Sequence, residues 1–146
     1  MVLLLQYMLI FASVLLLVAL GGCFSEHSGV INIGLEGIMV FGALGGALCM
    51  KYLPDGTSAV VVIFTCIIAA MLVGIIYSLL LAVAAINFKA DQTLVGTAMN
   101  LLGTAAATVI VKAINTAENP DNVSSEISYI NEKKAFIVNI GGFEFN

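Results

Sequence analysis

The sequence predicts an all-α polytopic bundle of about four membrane-spanning helices with a polar extramembrane tail. Three observations predict it. The 146 residues are 61% hydrophobic and only 10% charged, whereas a soluble domain is about half apolar and about a quarter charged. Four long apolar runs are separated by short polar connections, each run on the scale of a hydrocarbon core roughly 30 Å thick. Beyond Asn115 the composition turns polar, and five of the nine acidic residues fall there. No soluble fold of this length buries so much apolar surface, and the mean hydropathy of +1.12 agrees.

The spans are expected near residues 2–20, 30–51, 58–87 and 93–114, with 115–146 as the polar segment. The first is an unbroken apolar run whose strongly polar residue is Gln6, and Gly21-Gly22 is expected to end it. The second contains Gly34, Gly37, Gly42, Gly45 and Gly46. In a membrane such residues let backbones approach closely, and Gly42 with Gly46 forms a GxxxG. Around Gly29, Gly34 and Gly37 a local break is a further reading, since non-helical backbone at membrane depth is tolerated beside a cavity. Pro54-Asp55-Gly56 signals a turn, with Thr57 or Ser58 able to cap the third helix. Along that helix Ala70, Gly74, Ser78 and Ala82 recur every four residues as a packing face. After the fourth span, Ile127 to Ile140 contains two short β-like runs and Gly141-Gly142 a turn. A polar segment of this kind more often connects two spans than ends a protein, so the chain is expected to be the N-terminal part of a longer one.

The polar chemistry of the first half lies between Ser25 and Gly37. Glu36 is a carboxylate inside apparently membrane-spanning sequence, and an ionisable group there is expensive. Asn32 lies four residues before it and Ser28 four before that, which puts all three on one face if the stretch is helical. No Lys or Arg lies within a helical turn, so Glu36 must pair elsewhere, protonate or face water. In the fourth span Thr93, Thr97, Asn100, Thr104 and Thr108 form one polar stripe. Two readings stand: interhelical hydrogen bonding, or one wall of a wet pathway. Candidate path or gate residues are therefore Asn32, Glu36, Thr97, Asn100 and Thr104.

Several classes are excluded. There is no P-loop, His27 is the only histidine, and no HExxH or Ser-His-Asp set exists. Enzymatic catalysis, a metal and a cofactor are not expected. The three cysteines show no ligand spacing. Nor is there a basic patch for nucleic acid. Leu20-Gly21-Gly22-Cys23 resembles a lipoprotein cleavage box, but no Lys or Arg precedes the apolar run and more membrane sequence follows.

The run Gly21-Gly22-Cys23-Phe24-Ser25-Glu26-His27-Ser28-Gly29-Val30-Ile31-Asn32-Ile33-Gly34-Leu35-Glu36-Gly37 resembles the permease subunits of ABC importers for nucleosides and simple sugars, of the ribose and branched-chain amino-acid permease superfamily. The motif positions are Ser25, Glu26, Ser28, Gly29, Asn32, Gly34, Glu36 and Gly37; His27 stands where the family usually has Arg. Ala90 to Leu102 is similar to a second family segment. The resemblance implies an N-terminal half of a permease in the bacterial cell membrane, part of a path for nucleosides or related sugars. It implies a second permease subunit, a cytoplasmic ATP-binding-cassette ATPase and an extracytoplasmic solute-binding protein as partners, besides the lipid bilayer. The family's ATPase-docking segment lies in its later half, so this chain alone is not expected to couple to ATP hydrolysis. It also places the Cys23–Ser28 and Lys89 loops in the cytoplasm, against the lysine count, which would favour the reverse. The rival reading is a stand-alone four-helix protein assembling through GxxxG faces.

Overall fold

A computed structural model describes residues 2–54, 56–127, 138–140 and 143–145. Its body is four helices: α1 Val2–His27, α2 Leu35–Tyr52, α3 Ala59–Ile86 and α4 Gln92–Glu118. All four are long and apolar enough to cross a membrane. Two short antiparallel strands follow, β1 Val138–Ile140 and β2 Phe143–Phe145, with Asn139 opposite Glu144. Most of the β-like stretch expected at 127–140 lies outside the described residues, as do Asp55 and the expected Gly141-Gly142 turn.

Helix ends depart from expectation in instructive ways. Gly21-Gly22 does not stop α1, which runs through both to His27. A helical glycine costs about 1 kcal/mol, less than stripping backbone groups of their partners in an apolar medium. The stop comes later, where Gly29 adopts φ +84, a left-handed conformation that a side chain would strain. Ser25 and Ser28 tie that turn. The Ser25 hydroxyl donates to the Val30 carbonyl at 2.8 Å, and the Ser28 hydroxyl to the Ser25 carbonyl at 2.7 Å. Ser58 stands at the N-cap of α3 without a side-chain cap, while Thr57 donates to the Pro54 carbonyl and closes the turn. Asp91 caps α4, its Oδ1 accepting from the Thr93 and Leu94 N–H groups at 2.8 and 3.2 Å.

The bundle is built around α2. Towards α3, Gly42, Gly45 and Gly46 admit the partner backbone. A methyl at Gly42 would lie 3.3 Å from the Ala70 carbonyl oxygen, and one at Gly46 would lie 3.4 Å from that of Cys66. The GxxxG is thus used inside the chain as a packing seam. Towards α4 the approach is closer: a methyl at Gly37 would sit 2.6 Å from the Met99 carbonyl oxygen, and one at Gly103 would sit 2.8 Å from Gly37 Cα. The helices α2 and α4 run parallel. Gly37 meets Gly103 near one end, Leu44 packs on Ala107 and Val111 further on, and Lys51 pairs with Glu118 at 2.7 Å where both helices end. Inside lie Tyr77, Leu81 and Met99, with Ile38, Phe41 and Val95 against them. By contrast α1 stands to one side, its large apolar side chains facing outward, as suits contact with lipid.

The end of α4 holds the polar segment. Asn115, only 2% exposed, donates from Nδ2 to the carbonyls of Ser124 and Glu126 at 3.0 and 2.7 Å. Two backbone acceptors are satisfied by one amide, and the chain after the helix is folded back onto it.

Glycine packing makes opposite forecasts at two sites. Gly37→Ala forces α2 and α4 apart and should lose about 1–3 kcal/mol of folding stability. Gly21→Ala meets no atom within 4 Å and should be neutral or gain up to about 1 kcal/mol. Equilibrium unfolding in detergent micelles measures both; equal losses would contradict this packing.

Candidate functional site

The motif stretch divides into two parts with different work. Residues Ser25 to Gly29 end α1. Residues 30–34 form a non-helical strip before α2 begins at Leu35. The expected helical start at Val30 is therefore corrected, and the break considered around Gly29 and Gly34 is what forms. Ser28, Asn32 and Glu36 do not share a helix face, because only Glu36 lies in α2.

Side-chain amides of α4 hold the strip. Gln92 Oε1 accepts from the Ile31 N–H at 2.9 Å. Asn100 makes two bonds at once: its Oδ1 accepts from the Gly37 N–H at 2.8 Å, and its Nδ2 donates to the Ile33 carbonyl at 2.9 Å. One end accepts and the other donates, which fixes the orientation of the carboxamide. Glycines let α4 come this near. A methyl at Gly96 would lie 2.9 Å from Gly34 N, so the two backbones touch.

Asn32 sits within this strip. Its Oδ1 is buried and has no hydrogen-bond partner among the described residues. A buried acceptor left unpaired costs about 1–3 kcal/mol, so this arrangement of the strip is under tension. Glu36 occupies the first turn of α2, where the N-terminal helix dipole favours a carboxylate by about 0.3–1 kcal/mol. It is exposed and, among the described residues, its side chain has no partner. Asn100 gives its carboxamide bonds to Ile33 and Gly37, not to Glu36.

The α4 threonines do not join the cluster. Thr97 donates to the Thr93 carbonyl at 2.9 Å and Thr104 to that of Asn100 at 3.2 Å. Thr108 donates to Thr104 at 2.8 Å. These are bonds to the preceding turn of the same helix, and the threonines lie on an exposed face. The structure thus separates the predicted stripe: Asn100 turns toward the strip, and the hydroxyls turn outward. Within the stripe, Asn100 makes bonds to the neighbouring segment, while Thr97, Thr104 and Thr108 bond within α4.

Two residues at the site had weak signals. Tyr77 of α3, 5% exposed, donates its hydroxyl to the Met99 carbonyl at 2.6 Å. It also stacks on Phe41 of α2, with ring centroids 4.2 Å apart and planes 7° from parallel. It joins three helices beside Asn100; its one signal in sequence was a phenol inside an apolar run, which must find a partner. Gln92 had read as part of a polar connection.

Four helices long and apolar enough to cross a membrane, with a non-helical strip braced by amides beside α2, define a polytopic membrane bundle. Residues 4–145 match the family described as the permease component of the branched-chain amino acid transport system, and the chain belongs to that family. It is 44% identical over 115 residues to the guanosine ABC transporter permease protein NupQ of Bacillus subtilis, covering 79% of this chain and 36% of that one. The nucleoside ABC transporter permease protein NupC of Lactococcus lactis is 32% identical over 124 residues, with 85% and 38% covered. A putative glucose ABC transporter permease protein of Haloferax volcanii is 35% identical over 97 residues, with 66% and 27% covered. The chain therefore spans little more than a third of the length of its nucleoside-permease relatives. No solved structure matches it significantly. Family and helices together make it a multi-pass protein of the bacterial cell membrane, and the three relatives above carry permease names.

The Tyr77 hydroxyl and ring contribute separately. Tyr77→Phe keeps the stack on Phe41 and should lose about 0.5–1.5 kcal/mol. Tyr77→Ala also removes the ring and should lose about 3–5 kcal/mol. Unfolding in micelles reads both, and equal losses would show that the hydroxyl alone matters.

Proposed function

We propose that this chain is the membrane-spanning permease component of an ATP-binding-cassette importer and forms part of the path for nucleosides or related simple sugars. The observation that carries the substrate class is its 44% identity to a guanosine permease over 115 residues, supported by the likeness to a second nucleoside permease. Such a component works with a second permease subunit, a cytoplasmic ATPase and an extracytoplasmic solute-binding protein. Transport by alternating access needs a passage whose walls change shape. A strip of non-helical backbone beside a half-exposed polar cluster is the sort of element that lines one. Asn32 and Glu36 are the residues assigned to that path, with Thr97 and Thr104 on the outer face of α4 as further lining. Orientation is part of the proposal: the turn at Ser25–Gly29 and the Lys89 connection face the cytoplasm.

The self-assembly reading has less to stand on, because the GxxxG of α2 is already filled by α3 at Cys66 and Ala70.

Uptake tests the reading. Cells lacking the gene should lose accumulation of radiolabelled guanosine, and unlabelled nucleosides should compete with it in complemented cells. Unchanged guanosine uptake in the deletion strain would remove the nucleoside assignment. Glu36→Gln in the complete gene product tests the path. If the charge matters in transport, this variant assembles normally and loses uptake by at least tenfold. Wild-type uptake by both Glu36→Gln and Glu36→Leu would remove Glu36 from the path.

A further inference from the structure

In an α-helix the N–H of each residue bonds the carbonyl four residues earlier. If α2 were wound one turn further back, the Gly37 N–H would bond the Ile33 carbonyl. These are the two groups that Asn100 occupies, its Oδ1 on Gly37 N–H and its Nδ2 on the Ile33 carbonyl. The carboxamide is inserted into the ladder as a wedge, a recognised way of interrupting a helix. The next bond of the ladder is intact, from the Ile38 N–H to the Gly34 carbonyl at 3.1 Å. Behind the wedge, Leu35 and Glu36 open α2, where the first N–H groups have no partner within the helix itself.

We propose that Asn100 is a positioning residue, a removable wedge that holds residues 30–34 unwound and whose withdrawal lets α2 wind back toward Ile31. Three features of the chain support it. Asn32 Oδ1 is buried without a partner in the wedged state, so that state carries a cost. Asn32 and Glu36 stand four apart, the spacing that stacks them on one face once the turn is helical. Gly29, at φ +84, ends α1 independently, so winding stops at the strip and does not fuse the two helices.

The wedge thereby links the packing of α4 to the assembly of a polar face on α2. In the wedged state Asn32 lies in the strip before the helix that carries Glu36; in the wound state the two form one polar surface toward the solute. This last consequence rests on the permease reading, while the winding itself does not.

Amide hydrogen exchange resolved at Leu35 and Glu36 tests it, on the complete gene product in lipid nanodiscs without solute. In Asn100→Ala, winding gives these two N–H groups the Ile31 and Asn32 carbonyls as acceptors. Their exchange should slow at least tenfold, while residues 44–50 of α2 stay unchanged. Asn100→Val, which fills more of the vacated space, serves as the second variant, and slowing in either supports the wedge. A purely structural brace predicts the opposite sign, since loosening α2 from α4 speeds exchange. Unchanged or faster exchange at Leu35 and Glu36 in both variants overturns the proposal. No solute enters the measurement, so a wrong substrate assignment leaves its outcome untouched.

Discussion

The contact of α2 with α4 at Gly37, Met99 and Gly103 is the constraint on which the rest depends. There is no space for a methyl group at Gly37 or Gly103, and that closeness is what lets the short side chain of Asn100 reach backbone groups of the neighbouring chain segment. With α4 further out, an asparagine would not span the gap to both Gly37 and Ile33. In lipid, apolar burial gives little drive between helices, so close packing and a few polar bonds decide their arrangement. Here the two are coupled at one place.

From that contact the other elements take their positions. Tyr77 reaches the Met99 carbonyl across the same approach and stacks on Phe41, which brings α3 to both partners. The glycines of α2 that do not face α4 face α3 at Cys66, Ala69 and Ala70. At the far end Lys51 and Glu118 close the parallel pair, and buried Asn115 gathers the chain that follows. The pair is thus braced at both ends, by amides near the start and by an ion pair near the finish.

Family membership gives this geometry a context without assigning its parts. The chain covers 36% and 38% of two nucleoside permeases. The motif, read at first as one polar face, is divided by the structure. Ser25, Ser28 and Gly29 terminate a helix, Gly34 and Gly37 make space, Asn32 lies in the non-helical strip, and Glu36 stands in the first turn of α2.

Much of the fold was legible in the sequence, because hydrocarbon imposes rules that composition reveals. Unpaired backbone is costly in a bilayer, so four long apolar runs meant four helices, and glycine at repeated spacing meant close seams. The helix ends were less legible. Gly21-Gly22 looked like a stop and is not one, since a glycine costs less than a broken helix; Val30 looked like a start and is not one. That second error has a local and a tertiary cause. Val30, Ile31, Asn32, Ile33 and Gly34 are weak helix formers, and Asn100 of α4 takes the Gly37 N–H and the Ile33 carbonyl that a helix would join there. The sequence by itself determined the class, the spans and the small-residue seams, which depend on each segment's affinity for lipid. The tertiary structure alone decided which carboxamide meets which backbone group, because that depends on residues 63 apart in the chain coming within hydrogen-bonding distance.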